Sequence, residues 1–505
     1  MKSSRACRGS YLQGHFSKVS DPNGEVLCRN PGDLAVAAVS FPFSYEHVND
    51  AVMAAKRGFS SWKRIRPSER LTAISRYSEL LRNRMREVAE AISYEVGKPL
   101  WEAQWEVSDC LSLLSYLVEK GSQTTVEVKV PDVAEESQGV IRFFSRGVFV
   151  VISPATQPLL IAHSHFIPAL IHGNSVVLKS SKTAPLTGQL IAEMAHDAGL
   201  PSGVVNVIHG DGEVARRLSC HQDVDGVFFT GPFEAGFKIK KQTLSDYWKI
   251  VILDMGGKNG LVVWDDCEYK KALHEGLFAA FVTAGQRCTS ASRILVHQKV
   301  FDRFLEDFHG LAKKLRVGCG LANGVDAPFM GPLVSEGVME NYLRYQGIAV
   351  REGCDEIMRG KTLEREKKGY YVSPSIHVVA EPDPKSVYQK NEIFGPNVAF
   401  YRVRDLDEVA DILNQTQYGL VSSIYTSARE NYVHLLEEAR VGMLHWNRPT
   451  TDVSYKLPYG GIKKSGNSRP MGYYAGEQCT YPLSSLESTK KFDAAKLPKE
   501  LPRLE

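Results

Sequence analysis

The chain is 505 residues long, 43% hydrophobic and 24% charged, with a formal net charge of +3. These are ordinary values for a soluble globular protein too long for one core, so two or three domains are expected. They give no ground for a nucleic-acid or membrane partner, and no stretch has the apolar length of a membrane span.

The opening MKSSRACRGSYLQGHF lacks the apolar centre of a signal peptide. Nine scattered cysteines without a CxxC pair argue against a disulfide framework or a metal site. They fit a reducing, cytoplasmic setting. SYEHVNDAVMAAKRGFSSWKRI and the long stretch from Ser68 to the stop signal Gly97-Lys98-Pro99 carry apolar residues at helical spacing. TTVEVKVPD then alternates like a half-exposed strand, and with GVIRFFSRGVFVVISP it predicts a hairpin-like protrusion before a buried strand.

From about residue 147 the rhythm changes. The short β-branched runs GVFVVIS, NSVVLKS, GVVNVIHG, DGVFFTG and KIVILDMGG alternate with helical stretches. Near-continuous apolar strands separated by helices predict a parallel sheet covered on both faces. A second series begins after residue 256 with NGLVVWDD, YKKALHEGLFAAFVTAG and SRILVHQKVFDRFLEDFHGLAKKL. Two α/β domains meeting near residue 256 are therefore expected, followed at the end of the chain by a polar tail.

Several residues could carry chemistry. Gly210, Gly212 and Ala215 form a loose dinucleotide fingerprint, although tight turns need glycine in any case. Thr230-Gly231 leads from a strand into a helix, where backbone N–H groups could meet a phosphate or simply make the turn. Lys179 ends a buried strand, where an open α/β sheet places ligands, unless it lies just past the sheet surface. Asp254 precedes two glycines and is either a general base or a turn-capping residue. Cys288, beside Arg287 in TAGQRCTSASR, is either a nucleophile or a packing thiol.

In this order, and with NEIFGP and LPYGGIKKSGNSRP closing the series, the motifs resemble the NAD(P)-dependent aldehyde dehydrogenase superfamily over roughly residues 20 to 488. FVTAGQRCTSASR, WNRPTT and GGIKKSGNSRPMGYYAGEQCTYPLSSLES look most like its branch acting on N-succinylglutamate 5-semialdehyde in bacterial arginine breakdown. The resemblance implies an α/β fold of two doubly wound parallel-sheet domains plus a small β oligomerisation arm. It divides the chain into a discontinuous NAD(P)-binding domain (1–123 and 147–255), a catalytic domain (256–465), the arm (124–146 and 466–490) and a polar tail (491–505). A homodimer or homotetramer is implied.

The resemblance further implies that Cys288 attacks an aldehyde to give a thiohemiacetal and then a thioester, which activated water hydrolyses to the acid. Asp254 stands for the general base and Thr156 for the oxyanion donor. NAD or NADP would be held by Lys179, Ser181, Lys182, Gly212, Thr230, Gly231, Gly236, Met255, Gly256, Glu392 and Phe394. Arg287 and Thr289 would meet the substrate. Arg287 could equally lower the thiol pKa.

Four positions depart from the family's pattern. Thr156, in PATQP, replaces an asparagine amide by a hydroxyl of shorter reach. Asp254 is one methylene shorter than the usual glutamate. Pro232 removes a backbone donor from the phosphate turn. Lys182 replaces a glutamate that would grip a ribose hydroxyl, which makes NADP as acceptable as NAD. The first three leave open a fold kept for binding or assembly, and a different aldehyde or an acyl-transferring outcome also stays open.

Overall fold

The structure is a computed structural model that describes residues 6–134, 137–322, 327–488, 493, 495 and 497–502. Parts of the expected arm and tail therefore lie outside the described residues. The helical first third consists of Glu46–Trp62, Pro67–Asn83, Met85–Val96 and Leu100–Lys120. The single helix expected from Ser68 to Gly97 is broken at Arg84, which leaves helical geometry while its guanidinium binds Glu87 and Glu193. The stop signal acts locally: Gly97 takes the left-handed φ of 84° and Pro99 caps the next helix.

Five parallel strands form the centre of the first sheet, in the spatial order Ile250–Met255, Gly226–Gly231, Val148–Ile152, Ser175–Lys179 and Val205–Ile208. Ser10–Leu12 and His15–Ser17 extend it by antiparallel pairing. Val148–Ile152 and Ser175–Lys179 are buried at every position, so their β-branched side chains need no polar face. The chain works outward in both directions from Val148–Ile152, so its carboxyl end beside Gly226–Gly231 is a topological switch point, where such sheets bind ligands.

The second sheet runs Asp355–Met358, Ser375–Val379, Asn397–Val403, Ala291–His297, Asn259–Val263, Val421–Tyr425 and Met443–Trp446, with only the first strand antiparallel. Each sheet has its own apolar core. Residues 465–467 join the two. Ser465 Oγ donates to Gly256 O and accepts from Gly419 N–H, while the Asn467 amide brackets the strand Ile250–Met255.

The expected protrusion is a hairpin, Val128–Ala134 against Ser137–Ser145, and Thr480–Glu487 adds a third antiparallel strand. Among the described residues no helix is long and apolar enough to cross a membrane.

Candidate active site

The helix Tyr269–Phe281 ends in a strained turn. Thr283 and Ala284 adopt φ values of 55° and 51°, in a region that costs a non-glycine residue about 1–3 kcal/mol. Gly285 follows at φ 68°, and a Cβ there would lie 2.2 Å from Gly395 O, so the turn packs tightly onto the NEIFGP loop. Glu102, fully buried, holds the strained residues by accepting from the Thr283 N–H and hydroxyl. Past the turn, the Asn259 amide donates to Cys288 O at 2.7 Å and to Ser290 O at 2.8 Å. The backbone on both sides of Cys288 is thereby fixed.

The Cys288 side chain opens into a cavity of about 330 Å³ that Arg287, Thr289, Gln157, Arg448 and Tyr459 also line. Its sulfur lies 3.3 Å from the Tyr459 hydroxyl. Burial pushes the thiol up to about 12, helped by the charge of Asp254 and opposed by Tyr459 and, least of all, by Arg287. The resting group is a thiol at neutral pH. Arg287 acts weakly because its guanidinium is already bound, to Glu102 at 3.1 Å and to Thr283 Oγ1 at 2.7 Å.

Asp254 sits opposite Thr230 in the sheet register. The Thr230 hydroxyl donates to Asp254 Oδ2 at 3.4 Å and lies 3.0 Å from His165 Nε2. His165 stacks on Phe228 and, being buried, is held neutral with its pKa down at about 3. Asp254 is 1% exposed, and burial raises its carboxyl to about 7 against the pull of the Thr230 hydrogen bond. Its Oδ1 has no partner among the described residues. A carboxyl poised near neutrality close to a thiol can take a proton from water.

At the carboxyl ends of the first sheet, Lys179 is 6% exposed and its Nζ donates to Ser180 O at 3.0 Å. Burial lowers it to about 8, so it stays mostly protonated at neutral pH with further N–H donors to offer. Ser181 pairs with Thr183, and Lys182 beside it is exposed. Thr230 and Gly231 end their strand, and Pro232 caps the helix Phe233–Gln242, so the lost N–H falls just outside the first turn. Gly236 packs on Met255, where a Cβ would meet sulfur at 2.6 Å. Glu392 folds over Gly256, where a Cβ would collide with its carboxylate, and accepts from Gly257 N–H at 3.1 Å. Burial raises Glu392 to about 7.

These residues suit a dinucleotide: a buried cation, a helix start and bare backbone at the switch point. Gly212 is placed differently. It opens a helix in which the Glu213 and Val214 N–H groups donate to the Asp211 side chain. Phe394 is half-buried in the loop that receives Gly285. Thr156 is 7% exposed in the turn before the helix Leu160–Ile171, and its neighbour Gln157 is the residue that lines the cavity. That turn is anchored from below: Glu106 accepts from Leu159 and Leu160 N–H while paired to Lys98 at 2.6 Å.

Tyr459, His165, Glu102 and Gln157 were not singled out from the sequence, because each acquires its place through contacts with distant segments. Arg448 was visible only as a letter of WNRPTT.

The sequence matches the aldehyde dehydrogenase family over residues 19–483. It is 35% identical over 481 residues to the N-succinylglutamate 5-semialdehyde dehydrogenase of Chromobacterium violaceum, covering 95% of this chain and 96% of that protein. The enzyme of the same name from Paraburkholderia xenovorans is 33% identical, covering 95% and 96%. Among solved structures, the NAD-dependent aldehyde dehydrogenase from Sinorhizobium meliloti superposes with a TM-score of 0.92 at 26% identity, covering 98% of both chains. An NADP-dependent enzyme of E. coli does so at 0.89 with 28% identity, covering 96% and 99%. Sheet order, motif positions and sequence agree: the chain belongs to the aldehyde dehydrogenase family and is an oxidoreductase.

Proposed function

We propose that the protein oxidises an acidic semialdehyde, N-succinylglutamate 5-semialdehyde, to the carboxylic acid. The observation that carries this reading is the cavity that Cys288 lines together with Arg287 and Arg448, with Asp254 close enough for its charge to act on the thiol. The names of the similar bacterial enzymes support the choice of aldehyde.

Cys288 is the nucleophile. Its sulfur attacks the aldehyde carbon to give a thiohemiacetal, which becomes a thioester only on losing a hydride, for which a bound nicotinamide would supply the acceptor. Asp254, in its ionised form, takes a proton from the water that releases the acid, and Thr230 steadies the carboxylate. Arg448 is exposed along much of its length, and among the described residues its guanidinium is bound to Asp452 alone, which leaves donors for a substrate carboxylate. Gln157, next to the buried Thr156, is the residue of their turn that would face the aldehyde oxygen.

Bound NAD(P)+ supplies the hydride acceptor. Lys179, Ser181, Lys182, Thr230, Gly231, Gly236, Met255, Gly256, Glu392 and Phe394 are the residues that would hold it, and exposed Lys182 lets NADP compete with NAD. The three-stranded arm would pair subunits into a dimer or a dimer of dimers. Purified protein mixed with the semialdehyde and either cofactor is expected to form reduced nicotinamide, read by absorbance. No turnover with any semialdehyde at high enzyme concentration overturns the reading.

A further inference from the structure

Tyr459 lies in the short strand Pro458–Tyr459, paired with Met471–Gly472. Its ring is 3% exposed and belongs to a small apolar cluster with Ile161, Leu420, Val421 and Met471, against which Cys288 packs. The ring is thus fixed, and its hydroxyl is placed 3.3 Å from Cys288 Sγ. It is the one hydrogen-bond partner of that sulfur among the described residues. Burial raises the phenol well above its ordinary value, so it keeps its proton and remains a donor. A phenol has a single O–H, and no other described acceptor takes it.

We infer that the Tyr459 hydroxyl is a catalytic oxyanion donor, bonded to the Cys288 sulfur at rest and to the aldehyde oxygen once the sulfur has attacked. This rests on Cys288 being the nucleophile. In the attack, the thiol proton first leaves to cavity water. A sulfur lone pair then forms the S–C bond while the carbonyl π pair moves onto oxygen. Charge passes from sulfur to an oxygen two bonds away, and the same donor can follow it with a small reorientation. Re-forming the C=O bond requires the C–H pair to leave as hydride, for which a bound oxidised nicotinamide would supply the acceptor, and Tyr459 keeps its own proton throughout.

A donor that gains strength as charge develops lowers the barrier rather than merely binding substrate. It also answers the weak point at Thr156, whose buried hydroxyl does not line the cavity. The second donor comes from the opposite end of the chain.

Tyr459→Phe keeps the ring and its packing and removes only the donor. It is expected to lower kcat for the aldehyde about 100- to 1,000-fold, the usual effect of losing one oxyanion donor, with little change in KM. Alkylation of Cys288 by iodoacetamide should shift to higher pH in this variant, which loss of packing alone would not produce. Adding Thr156→Asn should recover activity in the Tyr459→Phe background by a larger factor than in the native protein.

Should Tyr459→Phe fold poorly, site-specific fluorotyrosine at 459 keeps the shape and acidifies the phenol, and Cys288 alkylation should then shift to lower pH. An absent shift overturns the inference. Cys288→Ala separates the two claims. If it retains turnover, the nucleophile reading fails. If it is dead while Tyr459→Phe keeps native kcat, the oxyanion role of Tyr459 fails alone.

Discussion

Arg287 is the immediate neighbour of Cys288, yet its guanidinium is bound 3.1 Å from Glu102, a carboxylate 185 positions away on the helix Leu100–Lys120. The pair decides what proximity in sequence left open. Arg287 has a weaker influence on the thiol than burial, Asp254 or Tyr459. It braces the strained turn at Thr283 while one edge of its side chain reaches the cavity.

Glu102→Gln should therefore have two effects. Removing one member of a buried pair typically costs about 3–5 kcal/mol, and the amide's remaining hydrogen bonds place this variant near the lower figure. Urea unfolding measures it. Released from its anchor, Arg287 can approach the sulfur, so Cys288 alkylation at neutral pH should become faster.

The deacylation rate should rise with pH around an apparent midpoint near 7, the value to which burial raises Asp254. The sign follows from the role, since the base acts only after losing its proton. Thr230→Val removes a bond that favours the charged form, so the midpoint should move to higher pH. Asp254→Asn should abolish this limb, slow turnover about 100- to 10,000-fold and leave an acyl adduct visible by mass spectrometry.

The same shift has a cost in stability. A carboxyl raised in the folded state favours folding less as pH climbs from its ordinary value through about 7. Asp254→Asn should accordingly melt higher than the native protein at pH values above that range, a difference that calorimetry resolves.

Lys98→Met leaves Glu106 buried without its cation. The loss should be about 3–5 kcal/mol in urea unfolding. Because Glu106 also holds the Leu159 and Leu160 N–H groups beside Thr156 and Gln157, kcat should fall even in the folded fraction.

Lys182→Glu tests the cofactor. With the exposed cation replaced by an acceptor, the ratio of kcat/KM for NADP+ to that for NAD+ should fall about 10- to 100-fold, the worth of one charge-assisted hydrogen bond. Initial rates with both cofactors measure it.

The amino-acid sequence by itself determined the two parallel sheets, because continuous β-branched runs such as VFVVI and SVVLK have no polar face to turn to water. It also determined the order of Lys179, Thr230, Asp254 and Cys288 along the chain. Even the helix stop at Gly97 is local, since a left-handed residue needs only glycine. Only the tertiary structure decided which groups share the site. The Tyr459 hydroxyl is 171 positions from Cys288, and no periodicity links a phenol in a two-residue strand to a thiol in a distant turn. Glu102 belongs to no motif in the sequence, and only folding brings its carboxylate to the Thr283 turn. Local propensity is written within a few residues, whereas burial, and with it the poise of Asp254 and Cys288, is a property of everything packed around them.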